Sequence, residues 1–229
     1  MAATDLLEKG AVLQRDKETF AVVPHLPGGL ITPDALRRIA DVAEKYNAKA
    51  LKMTSAQRLA IVGLKEEDLD NVWRDLDMKP SHAIGLCVRS IKFCPGTAFC
   101  KRGQQDSVSL GLKLDERYHG LELPGKFKMG ISGCVNSCGE NHFRDVGAMG
   151  MPKGFKLMVG GNGGVTPRIG QVIFEGLSEE QVLEKVDRII KVYAQGAKKH
   201  ERLGKYIERI SLEEFKSQLE AWPGSGLDN

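Results

Sequence analysis

The chain has 229 residues, with 33 basic and 30 acidic side chains and a formal net charge of +3. That length allows one large domain or two small ones with a real core. The near-even charge balance excludes a protein built chiefly to grip nucleic acid or a membrane surface, although local basic clusters still act on a small anion. No stretch approaches about 18 apolar residues, so no membrane-spanning helix is expected. Met1 to Gly10 carries Asp5, Glu8 and Lys9 and does not read as a secretory signal. The expected compartment is cytoplasmic. Disulfides are rare there, so the five cysteines need another explanation, and metal ligation is the first candidate.

Residues 19–23 read as a short strand, followed by a turn rich in Pro and Gly. Thr32 is a good N-cap, Pro33 suits the first helical position and Asp34 favours a helix N-terminus. Leu36, Ile39, Ala40, Ala43 and Tyr46 then repeat at helical spacing, with Asn47 as the stop. Two strands are expected at 49–53 and 58–63 around a tight loop, then an amphipathic helix through Leu69, Val72, Trp73 and Leu76. The order strand, helix, strand, strand, helix predicts a ferredoxin-like split unit over residues 1–80.

After Pro80 the texture changes. Residues 87–139 hold every cysteine. Strands are expected at 127–132 and 155–159, the second followed by Gly160-Gly161-Asn162-Gly163-Gly164. Ser178 opens a helix with Gln181 completing a capping box, and a final helix follows a Ser211 cap. The tail from Pro223 to Asn229 is expected to fray. Residues 81–229 thus read as an α+β cofactor domain with its ligands on loops. The fold class is α+β, a ferredoxin-like half domain followed by this cofactor domain.

The cysteines fall as Cys94-x5-Cys100 and Cys134-x3-Cys138. Two thiolate pairs can close around one metal centre. Structural zinc favours tighter knuckles, whereas iron–sulfur cubes take four thiolates at more varied spacing. The spacing therefore favours iron–sulfur, with zinc and four plain buried cysteines as alternatives. Cys87, in the apolar run Ile84-Gly-Leu-Cys-Val88, reads as a core residue.

Three segments go further: Cys94-Pro-Gly-Thr-Ala-Phe-Cys100, Gly130-Ile-Ser-Gly-Cys-Val-Asn-Ser-Cys138 and Gly160-Gly-Asn-Gly-Gly164. Together they resemble the siroheme–[4Fe–4S] sulfite and nitrite reductases, over about residues 18–175. The resemblance implies a [4Fe–4S] cluster on Cys94, Cys100, Cys134 and Cys138. Cys138 would bridge to the siroheme iron and pass electrons to it for six-electron reduction of sulfite to sulfide, or of nitrite to ammonia. A non-catalytic electron-transfer protein with the same cofactors is a further alternative. The segment Lys52-Met-Thr-Ser-Ala-Gln-Arg58 most resembles the large subunit of NAD(P)H-dependent nitrite reductase, while the small architecture and paired lysines fit sulfite.

The resemblance assigns the anion-facing cations to Arg58, Arg89, Lys126 and Lys128. Many family members place the key arginine one residue before Gln. Here Ala56 holds that position and Arg58 follows Gln57, so Arg58 either enters from a shifted position or holds a siroheme carboxylate only. Thr54, Gln57, Asn136 and Asn162 fall in matching segments and are expected at the siroheme edge. Lys101 and Arg102 either pair with its carboxylates or form an exposed turn. His142 is expected in the helix or loop after Cys138, not on iron. No nucleotide fingerprint is found at Gly160–Gly164, so a separate donor is expected, a ferredoxin-like protein or a flavin reductase subunit. Larger members of the family contain two such halves, which makes a homodimer one expectation and a compact monomer the other.

Overall fold

The computed structural model describes residues 4–222; the tail expected to fray lies outside them. The chain divides into two compact units, Met1–Gly85 and Leu86–Asn229.

In the first unit, strands β1 (Ala11–Leu13), β2 (Phe20–Val22), β3 (Ala50–Met53) and β4 (Leu59–Leu64) form a sheet in the order β1-β2-β4-β3. All its pairings are antiparallel. Helix α1 (Pro33–Lys45) starts where its sequence says it should, with Thr32 Oγ1 accepting from the Ala35 N–H at 3.2 Å. It stops at Lys45, and Asn47 turns the chain with a φ of 51°. Helix α2 (Leu69–Leu76) is amphipathic in the same way. Ile39, Val42, Leu69, Val72 and Leu76 from the helices meet Phe20, Val22, Ile61 and Leu64 from the sheet in one buried cluster. The order β2-α1-β3-β4-α2 is the expected ferredoxin-like one. Strand β1 is an addition, too short to show a period.

The second unit carries a mixed sheet in the order β5 (Val88–Phe93), β6 (Phe127–Ser132), β7 (Val146–Met151), β8 (Gly154–Val159) and β9 (Gln171–Leu177). β5, β6 and β7 run parallel, and β8 and β9 return antiparallel. Parallel neighbours need crossover connections. Between β5 and β6 come the short α3 (Gly96–Phe99) and α4 (Ser107–Tyr118), with Asp106 Oδ1 accepting from the N–H groups of Val108 and Ser109. Helices α5 (Glu179–Gly196), α6 (Leu203–Ile210) and α7 (Leu212–Ala221) complete the unit. The capping box of Ser178 and Gln181 forms as expected.

On β6, Phe127, Met129 and Ile131 point into the core, where they join Leu110, Val182, Val186, Ile189, Tyr193, Tyr206 and Phe215. Alternation sends Lys128, Gly130 and Ser132 to the opposite face. The core thus fixes which face of the strand is available for chemistry. No helix among the described residues is long and apolar enough to cross a membrane.

The corner between α5 and α6 is held by Glu201, whose carboxylate accepts from Arg209 Nε and Nη2 at 2.9 and 2.8 Å. Arg209 holds the Glu201 carboxyl down to about 2, from an ordinary 4.5. A carboxyl depressed on folding stabilises the fold above its unfolded value and loses that contribution as pH falls through the folded one. Glu201→Gln is therefore expected to cost up to about 1 kcal/mol at pH 7, or about 2–4 °C in Tm. The gap should close between about pH 4.5 and 2. Thermal melts across that range check it; a gap that persists at the acid end overturns the assignment.

Candidate functional site

Cys94 directly follows β5, and Cys134 follows β6 after a single glycine. Because the two strands are parallel neighbours with Phe93 opposite Ile131, both cysteine loops leave the sheet at the same carboxyl end. That is the edge where such sheets bind ligands. The Cys94 N–H donates to Ile131 O at 3.1 Å, and the Gln104 and Gln105 N–H groups donate to Gly133 O at 2.7 and 3.0 Å. A Cβ on Gly133 would lie 2.6 Å from Gly96 Cα, so only glycine lets the two loops touch. The Gly133 N–H points at Cys94 Sγ, 3.1 Å away. Sequence distance between the pairs is thus closed by strand pairing.

Cys94 is buried, Cys100 and Cys134 are half-buried and Cys138 is exposed. Cys87 is buried at 5% exposure, as a core residue should be. Among the described residues no three His, Cys, Asp or Glu are gathered tightly enough to hold a single ion.

Cys138 sits in a sharply turned loop, flanked by Ser137 and Glu140 with φ of 54° and 56°. The loop lies on the open face of β6 and β7. A Cβ on Gly130 would come 2.6 Å from Gly139 O, and one on Gly147 would strike the Asn141 carbonyl. Asn141 is fully buried. Its Oδ1 accepts from Ser132 and Ser137 Oγ at 2.6 and 2.7 Å, and Ser132 Oγ accepts from the Gly139 N–H at 2.9 Å. Asn141 Nδ2 and Arg144 Nε are buried and lack a hydrogen-bond partner among the described residues. Two orphaned donors beside Cys138 call for an acceptor the chain does not itself supply.

Cations gather round two carboxylates. Glu140 accepts from Lys92 Nζ at 2.5 Å and from Arg144, and it also faces Lys128. Burial works to raise its carboxyl, but those cations prevail and hold it below the ordinary value. Asp145, fully buried, takes Arg202 Nε on Oδ1 at 3.1 Å and both Arg202 Nη2 and the Lys128 N–H, at 2.8 Å, on Oδ2. Burial pushes Asp145 up and Arg202 opposes it. Lys126 faces Arg89, Arg202 and Asp145; burial first, then the two arginines, make its ammonium more acidic than an ordinary lysine. Arg89 is likewise lowered by burial and by Arg202. Arg89 and Lys126 are therefore brought together on the second unit, half-buried, while the half-buried Lys128 stands by Glu140.

The remaining expected residues divide. Thr54, Gln57 and Arg58 form the β3–β4 hairpin tip in the first unit. The Thr54 N–H donates to Arg58 O at 2.8 Å, Gln57 is left-handed, and Arg58 Nη2 donates to His82 O at 3.3 Å. Lys101 and Arg102 occupy an exposed turn rather than a helix, and Asn136 is exposed between the second cysteine pair. Asn162 Oδ1 accepts from Arg202. His142 lies in the turn Asn141–Phe143 with Nδ1 2.9 Å from Ser137 Oγ. Sequence reading missed Lys92, Glu140, Arg144, Asp145 and Arg202. Only Arg144-Asp145, an ionic pair just before an apolar run, carried any signal.

The donor set fits a [4Fe–4S] cluster: four thiolates in two touching loops, with a backbone N–H already on one sulfur. The half-buried cations and orphaned donors fit an acidic macrocycle beside Cys138.

The family described as nitrite and sulphite reductase 4Fe-4S domain matches residues 84–224, and the nitrite/sulfite reductase ferredoxin-like half domain matches residues 12–79. The chain is 44% identical over 211 residues to an assimilatory-type sulfite reductase of Nitratidesulfovibrio vulgaris, covering 92% of this chain and 97% of that one. It is 40% identical over 209 residues to a nitrite reductase [NAD(P)H] of Bacillus subtilis, covering 91% of this chain but 26% of that one. The crystal structure of dissimilatory sulfite reductase I superposes with a TM-score of 0.79 at 15% identity, over 88% of this chain and 69% of that one. The NirA protein of Mycobacterium tuberculosis superposes with 0.78 at 21% identity, over 88% and 40%. These last two speak for the fold. The chain belongs to the nitrite and sulfite reductase family, and it carries both that family's ferredoxin-like half domain and its 4Fe–4S domain.

Proposed function

We propose that the protein is an oxidoreductase that reduces sulfite to sulfide with six electrons, using siroheme and a [4Fe–4S] cluster. The observation that carries this is the meeting of both cysteine loops at one sheet edge, on a sheet whose other end carries the half-buried cations Arg89, Lys126 and Arg202. When bound, the cluster and siroheme supply the electrons and an open iron position for the anion. Cys94, Cys100, Cys134 and Cys138 would hold the cluster, and Cys138, the exposed one, would face the siroheme.

The chain's own part is electrostatic and acid–base. Arg89, Lys126 and Lys128 hold the oxyanion and siroheme carboxylates where water is partly excluded and charge pairing is strong. Each oxygen leaves sulfite as water and needs two protons. Lys126 Nζ, made more acidic by burial, Arg89 and Arg202, gives them up more readily than an exposed lysine. Arg58, at a hairpin tip, is a further candidate to bind the anion or a siroheme carboxylate. Thr54, Gln57, Asn136, Asn162, Lys101 and Arg102 supply the polar edge of the macrocycle site.

Residues 52–63 favour a second reading, nitrite to ammonia, since that stretch most resembles a nitrite reductase. Electrons come from a separate ferredoxin-like or flavin-containing donor in the cytoplasm, whose reducing poise keeps thiolates available for iron. With one half of the pseudo-symmetric arrangement in the chain, a homodimer walls each macrocycle. Size-exclusion chromatography with light scattering on cofactor-loaded protein should give twice the mass of the 25.1 kDa chain; a clean monomer ends the dimer proposal.

Anaerobically matured protein should contain iron, acid-labile sulfide and isobacteriochlorin absorption. Cys94→Ser should lose the iron almost completely, because its sulfur is the buried one. Iron analysis checks this, and full iron in that variant removes Cys94 from the ligand set. Lys126→Ala and Lys128→Ala should retain the visible bands yet turn over sulfite at least about 100-fold more slowly with reduced methyl viologen. Wild-type rates on both anions rank the two readings, and a higher kcat/KM for nitrite reverses their order.

A further inference from the structure

Arg202 and Asp145 lie outside the cysteine loops and outside the three short motifs around the cysteines and Gly160–Gly164. Asp145 precedes β7 and is wholly buried. Its carboxylate accepts only from donors, Arg202 Nε and Nη2 and the Lys128 N–H, which is how an ionised carboxylate is held. Its carbonyl accepts from the Gly160 N–H at 2.9 Å. Arg202, the N-cap of α6, extends the link by donating from Nη1 to Asn162 Oδ1. The segment that delivers Arg202 is itself tied to the approach to β6. His200 N–H donates to Pro124 O at 2.6 Å, and Tyr193 OH donates to Glu201 O at 2.5 Å. An apolar pair would fill such a place at less cost, but it would give neither charge nor direction.

We infer that Asp145 and Arg202 are a positioning pair for the Lys126–Lys128 segment. They lock the start of β6, the Asn162 loop and the N-terminus of α6 into one frame, and they set the charge that Lys126 faces. The purpose of that frame rests on the oxyanion-reductase reading above; the frame itself does not. Lys126 is faced by Arg89 from β5, Arg202 from the N-cap of α6 and Asp145 from the residue before β7. The Tyr193 hydroxyl from α5 is taken up by the Glu201 carbonyl.

The pair acts on Lys126 with two signs. Loss of Arg202 removes a cation, so the Lys126 ammonium becomes harder to deprotonate even if Asp145 is neutralised with it, because Arg202 outweighs Asp145 there. Loss of the Asp145 charge removes an anion and makes it easier to deprotonate. Mere loosening of the fold would admit water and move Lys126 the same way in both variants, towards an ordinary amine.

Competitive acetylation with acetic anhydride at pH 8 tests this on the cofactor-loaded full chain, with Lys126 read by mass spectrometry against the exposed Lys153. Relative to wild type, Lys126 labelling should fall about threefold in Arg202→Gln and rise about threefold in Asp145→Asn. It should stay close to wild type in Arg202→Lys. Changes in the same direction, or none, overturn the inference. If Arg202→Gln does not melt cooperatively, Asp145→Asn against Arg202→Lys decides: a rise in the first with no change in the second upholds it, and no rise sinks it. Iron and siroheme are assayed on the same wild-type preparation. Their absence would overturn the reductase reading, while the labelling contrast would still judge the pair.

Discussion

Cys94 and Cys134 meet because β5 and β6 lie side by side and point the same way. Parallel pairing costs a crossover, here filled by α3 and α4. What it brings is coincidence of two loop origins at one edge of the sheet. Had β6 run the other way, its cysteine loop would have left from the far end, about 20 Å off for strands of this length. The contact between Gly133 and Gly96 and the N–H on Cys94 Sγ follow from that pairing and refine it. The loops are thus closed on one side, where Cys94 is buried. They open on the other, where the exposed Cys138 lies in a loop pressed against the glycines of β6 and β7.

The cations obey a different constraint. Half-buried positive charges in mutual range oppose folding unless something negative joins them. Among the described residues two carboxylates stand with them: Glu140 with Lys92, Lys128 and Arg144, and Asp145 with Lys126 and Arg202. The surplus is the electrostatic counterpart of an acidic macrocycle and an anionic substrate. Removing the buried Asp145 carboxylate, or the Arg202 guanidinium that serves it, would leave a buried charge unpaired at a cost of about 3–5 kcal/mol.

Much of this was legible in the sequence where residues speak locally. The Thr32 cap, the Ser178 box and the alternation of β6 each act within a few positions, and the structure follows them. β7 was silent because Val-Gly-Ala-Met-Gly-Met offers small residues where a strand shows its period; its glycines serve the loop above them. β5 was masked by a register shift between Val88 and Ser90, which disturbs the alternation at Arg89. The cysteines were legible as a set, but their meeting rests on strand order, which no local pattern encodes. Arg202 stood for the same reason beyond reach: it is an unremarkable N-cap until α6 brings it to Asp145.

That contrast separates the two kinds of residue a redox site needs. Ligands to a cluster must be of one chemical type, so thiolates betray themselves by identity and spacing alone. Groups that steer protons need only charge and place, and any of 33 basic side chains might do by composition. Place is decided by packing. Phe127 inserts among Tyr193 and its neighbours, with ring centroids of the two 5.5 Å apart, and this turns Lys128 to the other face. The aromatic core under β6 thereby sets the direction of the chemistry above it. A substitution in that core that left the fold intact but rotated the strand would disarm the lysines without touching them.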